Sequence, residues 1–272
     1  MKPLLDKLLQ MSSRERAQYL YNYALKIKRR LDPEYEDMIK IDPEYAYKYV
    51  SHIIKGPWPK AEKFIMKSPE WIAKYINYVY GDRKPEIEST ILKDPIWSYW
   101  YARHVVKGRW KEAESQIMKN PRYAYHYAMD IIKDRWREAE PYIMKDPNWA
   151  YKYAVNVIDK RWPEAEPHIM KSPQHAYNYA EDIINGRWPE AEPYILQDIP
   201  STYLYASEII KNRWPEAEPI LINSDTYAFL YARNVIKGRW PEAESIIMKN
   251  PKLAYKYTKD ILLKEDGPKK NI

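Results

Sequence analysis

The sequence predicts an all-α protein, an α-solenoid of about nine 26-residue two-helix repeats with a degenerate N-terminal cap. Three observations carry this expectation. A tryptophan returns as Trp58, Trp110, Trp136, Trp162, Trp188, Trp214 and Trp240, at intervals of 26 residues or twice 26, with Lys84 in the skipped place. A period in the range of about 20 to 50 residues marks stacked repeats, each burying its apolar face against its neighbours. The eleventh place of every repeat holds Asp, Ser or Asn, whose side chains accept an orphan backbone N–H at a helix start. The apolar residues that follow recur with a helical period rather than a strand alternation.

Taken in order, residues 1–31 read as a capping half-repeat. Tyr19, Tyr21, Tyr23, Ala24 and Ile27 lie 26 residues before Tyr45, Tyr47, Tyr49, Val50 and Ile53, and Ser12-Ser13-Arg14-Glu15 offers a capping box. Nine repeats fill 32–265, starting at residues 32, 58, 84, 110, 136, 162, 188, 214 and 240, and 266–272 is a short tail. The first helix of a repeat should be short. In repeat five it is expected from about Glu138 to Lys145, burying Ala139, Tyr142 and Ile143 and limited by Pro141. The second helix follows the cap series Asp42, Ser68, Asp94, Asn120, Asp146, Ser172, Asp198, Ser224 and Asn250. Proline comes next in seven repeats, a place where its missing N–H costs nothing.

The second helix should span about 13 residues and end near Gly56, Gly108, Gly186 or Gly238, with glycine tolerating a left-handed cap. In repeat five Ala150, Tyr153, Ala154, Val157 and Ile158 are expected on its buried side, with Lys152, Val155, Asn156 and Asp159 opposite. Two repeats depart from the pattern. Repeat three has Lys84 for tryptophan and an additional aromatic, Trp100; repeat seven shifts its proline, Asp198-Ile199-Pro200-Ser201, which should delay its helix by a residue.

Composition narrows the function classes. The 22 prolines sit mostly at fixed places rather than in a low-complexity tract, and the absence of cysteine excludes disulfides and thiolate metal sites. The opening MKPLLDKLLQ lacks the continuous apolar core of a signal peptide, and no stretch approaches a membrane span. A soluble, cytoplasmic protein with no membrane partner is expected. The net charge of +7 is mild for 45 basic and 38 acidic residues whose signs alternate inside each repeat. Its compact basic runs are Lys26, Lys28, Arg29, Arg30 and the pair Lys269-Lys270.

Tyrosine occupies one place in all nine repeats, as Tyr49, Tyr75, Tyr101, Tyr127, Tyr153, Tyr179, Tyr205, Tyr231 and Tyr257. Stacked aromatics can read bases, but these lie among the alanines and isoleucines of the buried face. Phenylalanine never stands there, so the hydroxyl should have a fixed hydrogen-bond partner. A glutamate at the fifth place of every repeat and an arginine ending seven of them supply candidates. The expected structural network is Glu140, Tyr153, Arg161 and Trp162, joining successive repeats, with the guanidinium stacked on the tryptophan beside it. A carboxylate repeated along an array is not one active site.

His52 and His104 stand two repeats apart, about 20 Å at roughly 10 Å per helix layer, too far to share a metal. There is no glycine-rich phosphate loop, nucleophile elbow or zinc-binding helix motif. The protein is therefore expected not to be an enzyme, with no catalytic residue, metal, cofactor or small-molecule substrate. The candidate partner-binding residues are Trp100, Arg103, His104 and Lys107, with His126 and Lys133 of the next repeat and Lys152 further along. Tryptophan beside arginine is enriched at protein-binding hot spots. The competing expectation is that Trp100 folds over the gap left at Lys84. Lysines at two places of the second helix, among them Lys48, Lys74, Lys152 and Lys256, form a stripe that could follow a phosphate backbone, although Asp130, Asp182, Glu208 and Asp260 share that face.

The RWPEAEP signature, with its DPxWAYxYA continuation, resembles tandem-repeat proteins of tailed bacteriophages over residues 32–265. By architecture alone it is similar to paired-helix solenoids of the HEAT and tetratricopeptide kind, whose usual work is protein binding. The resemblance implies a non-enzymatic scaffold engaging another protein, one that interferes with a host factor in the host cytoplasm. The alternative is a nucleic-acid-binding solenoid that uses the lysine and arginine stripes.

Overall fold

The computed structural model describes residues 8–263. The start of the capping segment, the Lys269-Lys270 pair and the 266–272 tail lie outside the described residues. Among the described residues the regular structure is entirely helical, and within each compact unit successive helices pack on one another, giving the expected all-α solenoid. The chain forms two compact units, Met1–Tyr142 and Ile143–Ile272.

The first unit opens with a helix over Ser13–Ile27, capped by reciprocal bonds between Ser12 and Glu15, with Ala17, Leu20, Tyr21 and Ala24 buried. In both units the length of a repeat's first helix follows its sixth residue. Repeats two, three, four and nine have Lys63, Ser89, Ser115 and Ser245 there, and their first helices run seven residues, as in Pro59–Ile65 and Pro241–Ile247. Repeats five to eight have Pro141, Pro167, Pro193 and Pro219, and the α-helix shrinks to four residues, as in Glu140–Ile143 and Glu166–Ile169. Proline removes the N–H that would close the first α-turn, so the chain enters through tighter bonds such as Glu166 N–H to the Pro163 carbonyl, 3.3 Å. Repeat five's first helix is thus shorter than its sequence suggests, and Tyr142 is only half-buried beside the buried Ala139 and Ile143.

The second helix changes type along its length. It is α-helical up to the repeated tyrosine and then widens into a π-helix, for example Pro147–Tyr153 followed by Ala154–Ile158. Repeats one and three to nine share this change. It closes with a bond five residues back, as from Asp159 N–H to the Ala154 carbonyl, 2.8 Å. Paired β-branched residues such as Ile183-Ile184 crowd an α-turn, and the wider turn spreads them. Repeat two is the exception, with Ile76 and Tyr80 at the two ends of this stretch and an uninterrupted α-helix over Pro69–Val79.

The widened turn corrects two expectations. The left-handed cap falls one residue before the glycines, on Lys55, Lys107, Lys133, Asp159, Asn185, Lys211 and Lys237, with φ of 54 to 59°. Gly56, Gly108 and Gly186 keep ordinary φ, and among the described glycines only Gly81 of repeat two has a positive one, 74°. Lys107 and Lys133 are therefore helix caps rather than members of an outer helical stripe, and Val157 is half-buried. Repeat seven shows no delay: its helix starts at Ile199, and Pro200 occupies another first-turn place where no N–H is needed.

The core is built on the repeated tyrosines, which are fully buried. The Tyr179 hydroxyl accepts from the Trp162 backbone N–H at 2.7 Å and donates to Glu166 Oε1 at 3.2 Å. Arg161 Nε and Nη2 grip both oxygens of that carboxylate at 2.9 and 2.8 Å. The Tyr179 ring then meets Trp188 of the following repeat, with centroids 5.2 Å apart. The network therefore joins the arginine ending one repeat to the glutamate of the next, Arg161 with Glu166 and Arg135 with Glu140, so Glu140 and Arg161 are not partners. Trp162 stacks on Tyr153 at 5.2 Å rather than pairing with the neighbouring guanidinium.

Two measurements check this core. The Glu166 side chain is 11 % exposed but Arg161 is 54 % exposed, so the cost of about 3 to 5 kcal/mol for splitting a wholly buried ion pair does not apply. Glu166→Ala and Tyr179→Phe should each cost about 1 to 3 kcal/mol in chemical denaturation, by stranding a buried donor or acceptor, while Lys152→Ala should change stability little. Burial, opposed by the backbone N–H bond and reinforced by the glutamate, pushes the hydroxyls of Tyr49, Tyr101 and Tyr205 up from 10 to about 12. Since the folded values lie above the unfolded one, their contribution is complete below about pH 10 and lost as pH rises through 10 to 12. Melting temperature should fall steeply across that window, with tyrosinate absorbance appearing together with unfolding.

Candidate protein-interaction surface

Successive second helices are tied by polar rungs. In the first unit Tyr21 Oη meets His52 Nδ1 at 2.8 Å, and Tyr99 donates to Asp130. In the second unit Tyr151 donates to Asp182, and Asn234 Nδ2 donates to Tyr203 Oη at 2.7 Å. Each rung joins the sixteenth residue of one repeat to the twenty-first of the next. The same tyrosine rings pack on the next repeat's fourteenth residue, as in Tyr47 on Trp71 and Tyr99 on Tyr123, at 5.6 and 5.7 Å.

Repeat two lacks the ring altogether. Its sixteenth residue is Ala73, where every other repeat has tyrosine or phenylalanine, so no aromatic side chain from that place reaches Trp97 and His104 of repeat three. They turn to other neighbours. Trp100 stacks on His104 at 4.5 Å and on Trp97 at 6.0 Å, and the Lys74 ammonium bridges the Trp71 and Trp97 rings at 4.3 and 5.2 Å. Trp100 is half-buried and His104 exposed. The gap at Lys84 is filled by another residue: the Tyr80 ring takes the tryptophan's place against Tyr75, at 6.1 Å, so Trp100 does not cover it.

Arg103, Lys107 and Lys133 come together around a shallow cleft of about 220 Å³ that also contains Asp130. Arg103 Nη1 lies 2.6 Å from Asp130 Oδ2 and 2.6 Å from Tyr99 Oη, so its charge is partly neutralised within the surface. His126 packs on the Tyr99 and Tyr125 rings, at 6.0 and 5.0 Å, and is half-buried. Lys152 belongs to the second unit, where its ammonium lies 4.7 Å from the Trp149 ring centre. Sequence reasoning overlooked Trp71 and Trp97, and placed Lys74 and Asp130 on the helix face without joining them to this surface. The alanine at a place otherwise held by tyrosine or phenylalanine was the available signal.

Among the described residues no group of three or more His, Asp or Glu side chains converges to hold a metal ion, and no helix is long and apolar enough to cross a membrane. Comparison with protein-family models, curated proteins and solved structures returned no match to this chain.

Burial, and then the charge of Arg103, hold the His104 imidazole below its usual value, so it stays neutral to lower pH than a free histidine. Trp100 provides one wall of that environment. A proton NMR titration should therefore place His104 below the ordinary histidine midpoint, and Trp100→Ala should move it upward.

Proposed function

We propose that this protein is a non-enzymatic α-solenoid scaffold that binds another protein, through the aromatic and cationic surface of repeats two to four. One observation carries the reading: with alanine at Ala73, Trp100 stacks on both Trp97 and His104 beside Arg103, and the contact to the preceding helix is a cation, Lys74 on the Trp97 ring, in place of a tyrosine. Tryptophan and arginine at the centre of a surface are enriched among residues whose truncation costs 2 kcal/mol or more in binding. The cations suit a partner with an acidic, partly aromatic face. The resemblance of the signature to phage repeat proteins supports a host factor as that partner.

A second reading is supported by the same stacking, because aromatic rings flanked by cations also bind single-stranded nucleic acid. Asp130 weighs against it, since its carboxylate sits in the Arg103, Lys107 and Lys133 cleft where a phosphate would lie.

The distinction is measurable. With wild-type and Trp100→Ala proteins as parallel baits, a specifically retained partner should lose at least about tenfold in affinity for the variant, with melting unchanged. If melting falls and affinity holds, Trp100 is a packing residue and the interface lies elsewhere. Binding to single-stranded DNA that weakens by about a thousandfold between 50 and 200 mM salt would replace the protein reading with the nucleic-acid one.

A further inference from the structure

Repeats one and three to nine satisfy the buried glutamate in the same way. Arg30, Arg83, Arg109, Arg135, Arg161, Arg187, Arg213 and Arg239 each pair with the glutamate that opens the next first helix. Repeat two cannot. The residue that should be its arginine is Pro57, five places before Glu62. Among the described residues Glu62 has no cationic partner; its Oε1 accepts from Tyr75 Oη at 2.9 Å and Tyr80 Oη at 2.7 Å, and its Oε2 accepts no hydrogen bond.

The same repeat boundary has Lys84 in the tryptophan's place, and a cavity lies against it. It measures about 280 Å³ and reaches from Glu62 and Glu86 at the mouth to the core residues Ile72 and Tyr75, with Tyr80 and Lys84 along its wall. The corresponding hollow beside Glu218 is of similar size, about 270 Å³, but is bounded by Pro219, Ile222 and the intact Trp240 and is not lined by Tyr231, whereas the one beside Glu62 reaches Tyr75. Two carboxylates face one ammonium in the Glu62 cavity. That ammonium, Lys84 Nζ, sits 4.2 Å from the centre of the Tyr80 ring and forms no ion pair with Glu62.

We propose that this cavity is a binding site for a guanidinium group supplied from outside the chain. In the other repeats Nε and Nη2 of an arginine span both oxygens of the equivalent glutamate; here no arginine is present, and Tyr80, at a place held elsewhere by Ile, Val or Leu, donates to Oε1 and leaves Oε2 open. A planar guanidinium can donate to the open Oε2 and lie against aromatic surface. A compact ammonium has neither the fork nor the flat face, so arginine-like ligands are preferred over lysine-like ones. The site uses different side chains from the Trp100 surface and does not rest on the reading given above.

The probe is methylguanidinium, followed by amide NMR at constant ionic strength against methylammonium. Saturable shifts confined to residues around Glu62 and Tyr80, at least about tenfold weaker for methylammonium, are expected. Glu62→Gln keeps an acceptor for both tyrosine hydroxyls but lacks the charge, and should weaken binding at least about tenfold while leaving the fold intact. Pro57→Arg should supply the missing guanidinium in cis, abolishing binding and raising the melting temperature. N-acetyl-arginine amide and an arginine-containing peptide identify the source: equal affinity for all three guanidinium probes indicates a small free ligand, and tighter binding of the peptide indicates a side chain presented by a partner. No saturable shift in the wild type, or an unchanged affinity in Glu62→Gln, overturns the proposal.

Discussion

The tyrosine hydroxyl is the interaction on which the array depends. It accepts the backbone N–H that opens the repeat and donates to a carboxylate thirteen residues back, while its ring lies on the next repeat's tryptophan. One side chain thus fixes the entry loop, the first helix and the junction. The loop N–H is buried and has no helical partner, so the hydroxyl removes a cost of about 1 to 3 kcal/mol at each repeat. Phenylalanine would bury the same ring and leave both polar groups stranded, which explains its exclusion from this place although it is tolerated at Phe229.

The architecture was largely readable because helical repeats write their rules locally. Caps such as Asp146 and first-turn prolines such as Pro147 act within a few residues, and the structure has them where the sequence places them, although Ser68 and Ser172 stand at the cap position without accepting a backbone N–H. The π-turns were not readable. They depend on how Ala154 and the paired β-branched residues after it fit between neighbouring repeats, and a 3.6-residue period cannot register a local change to five-residue bonds. The misplacement of Lys107 and Lys133 on a helix face, and of the left-handed cap on glycine, follow from that single omission. At the candidate surface, Trp100 announced itself as an added aromatic. Ala73, one repeat earlier, was an absence and drew no notice, and Arg161 was grouped with Glu140 of its own repeat although it serves Glu166 of the next.

Repeat two gathers most of the departures. Pro57, Ala73, Tyr80 and Lys84 each alter a place that is nearly uniform elsewhere, and the structure connects them. Tyr80 replaces both the absent tryptophan, against Tyr75, and one of the absent arginine's donors, on Glu62. Its second helix remains α-helical and ends on Gly81. The repeat keeps its tyrosine bond to Trp58 N–H, at 2.8 Å, so its place in the array is retained while its sides differ. A solenoid tolerates this because each repeat answers only to its neighbours.

Because the arginine ending one repeat serves the glutamate of the next, a 26-residue segment is self-contained wherever its boundaries are drawn. Copying a segment from the uniform repeats in register would create a new junction already furnished with its ion pair, its tyrosine bond and its aromatic contact. Gaining or losing a single residue would instead separate Arg161 from Glu166 and displace the N–H that Tyr179 serves. The array can therefore grow or shrink by whole copies with little structural penalty, while shifts of one or two residues are heavily penalised. Its uniform spacing from 32 to 265 is the imprint of that arithmetic on the gene.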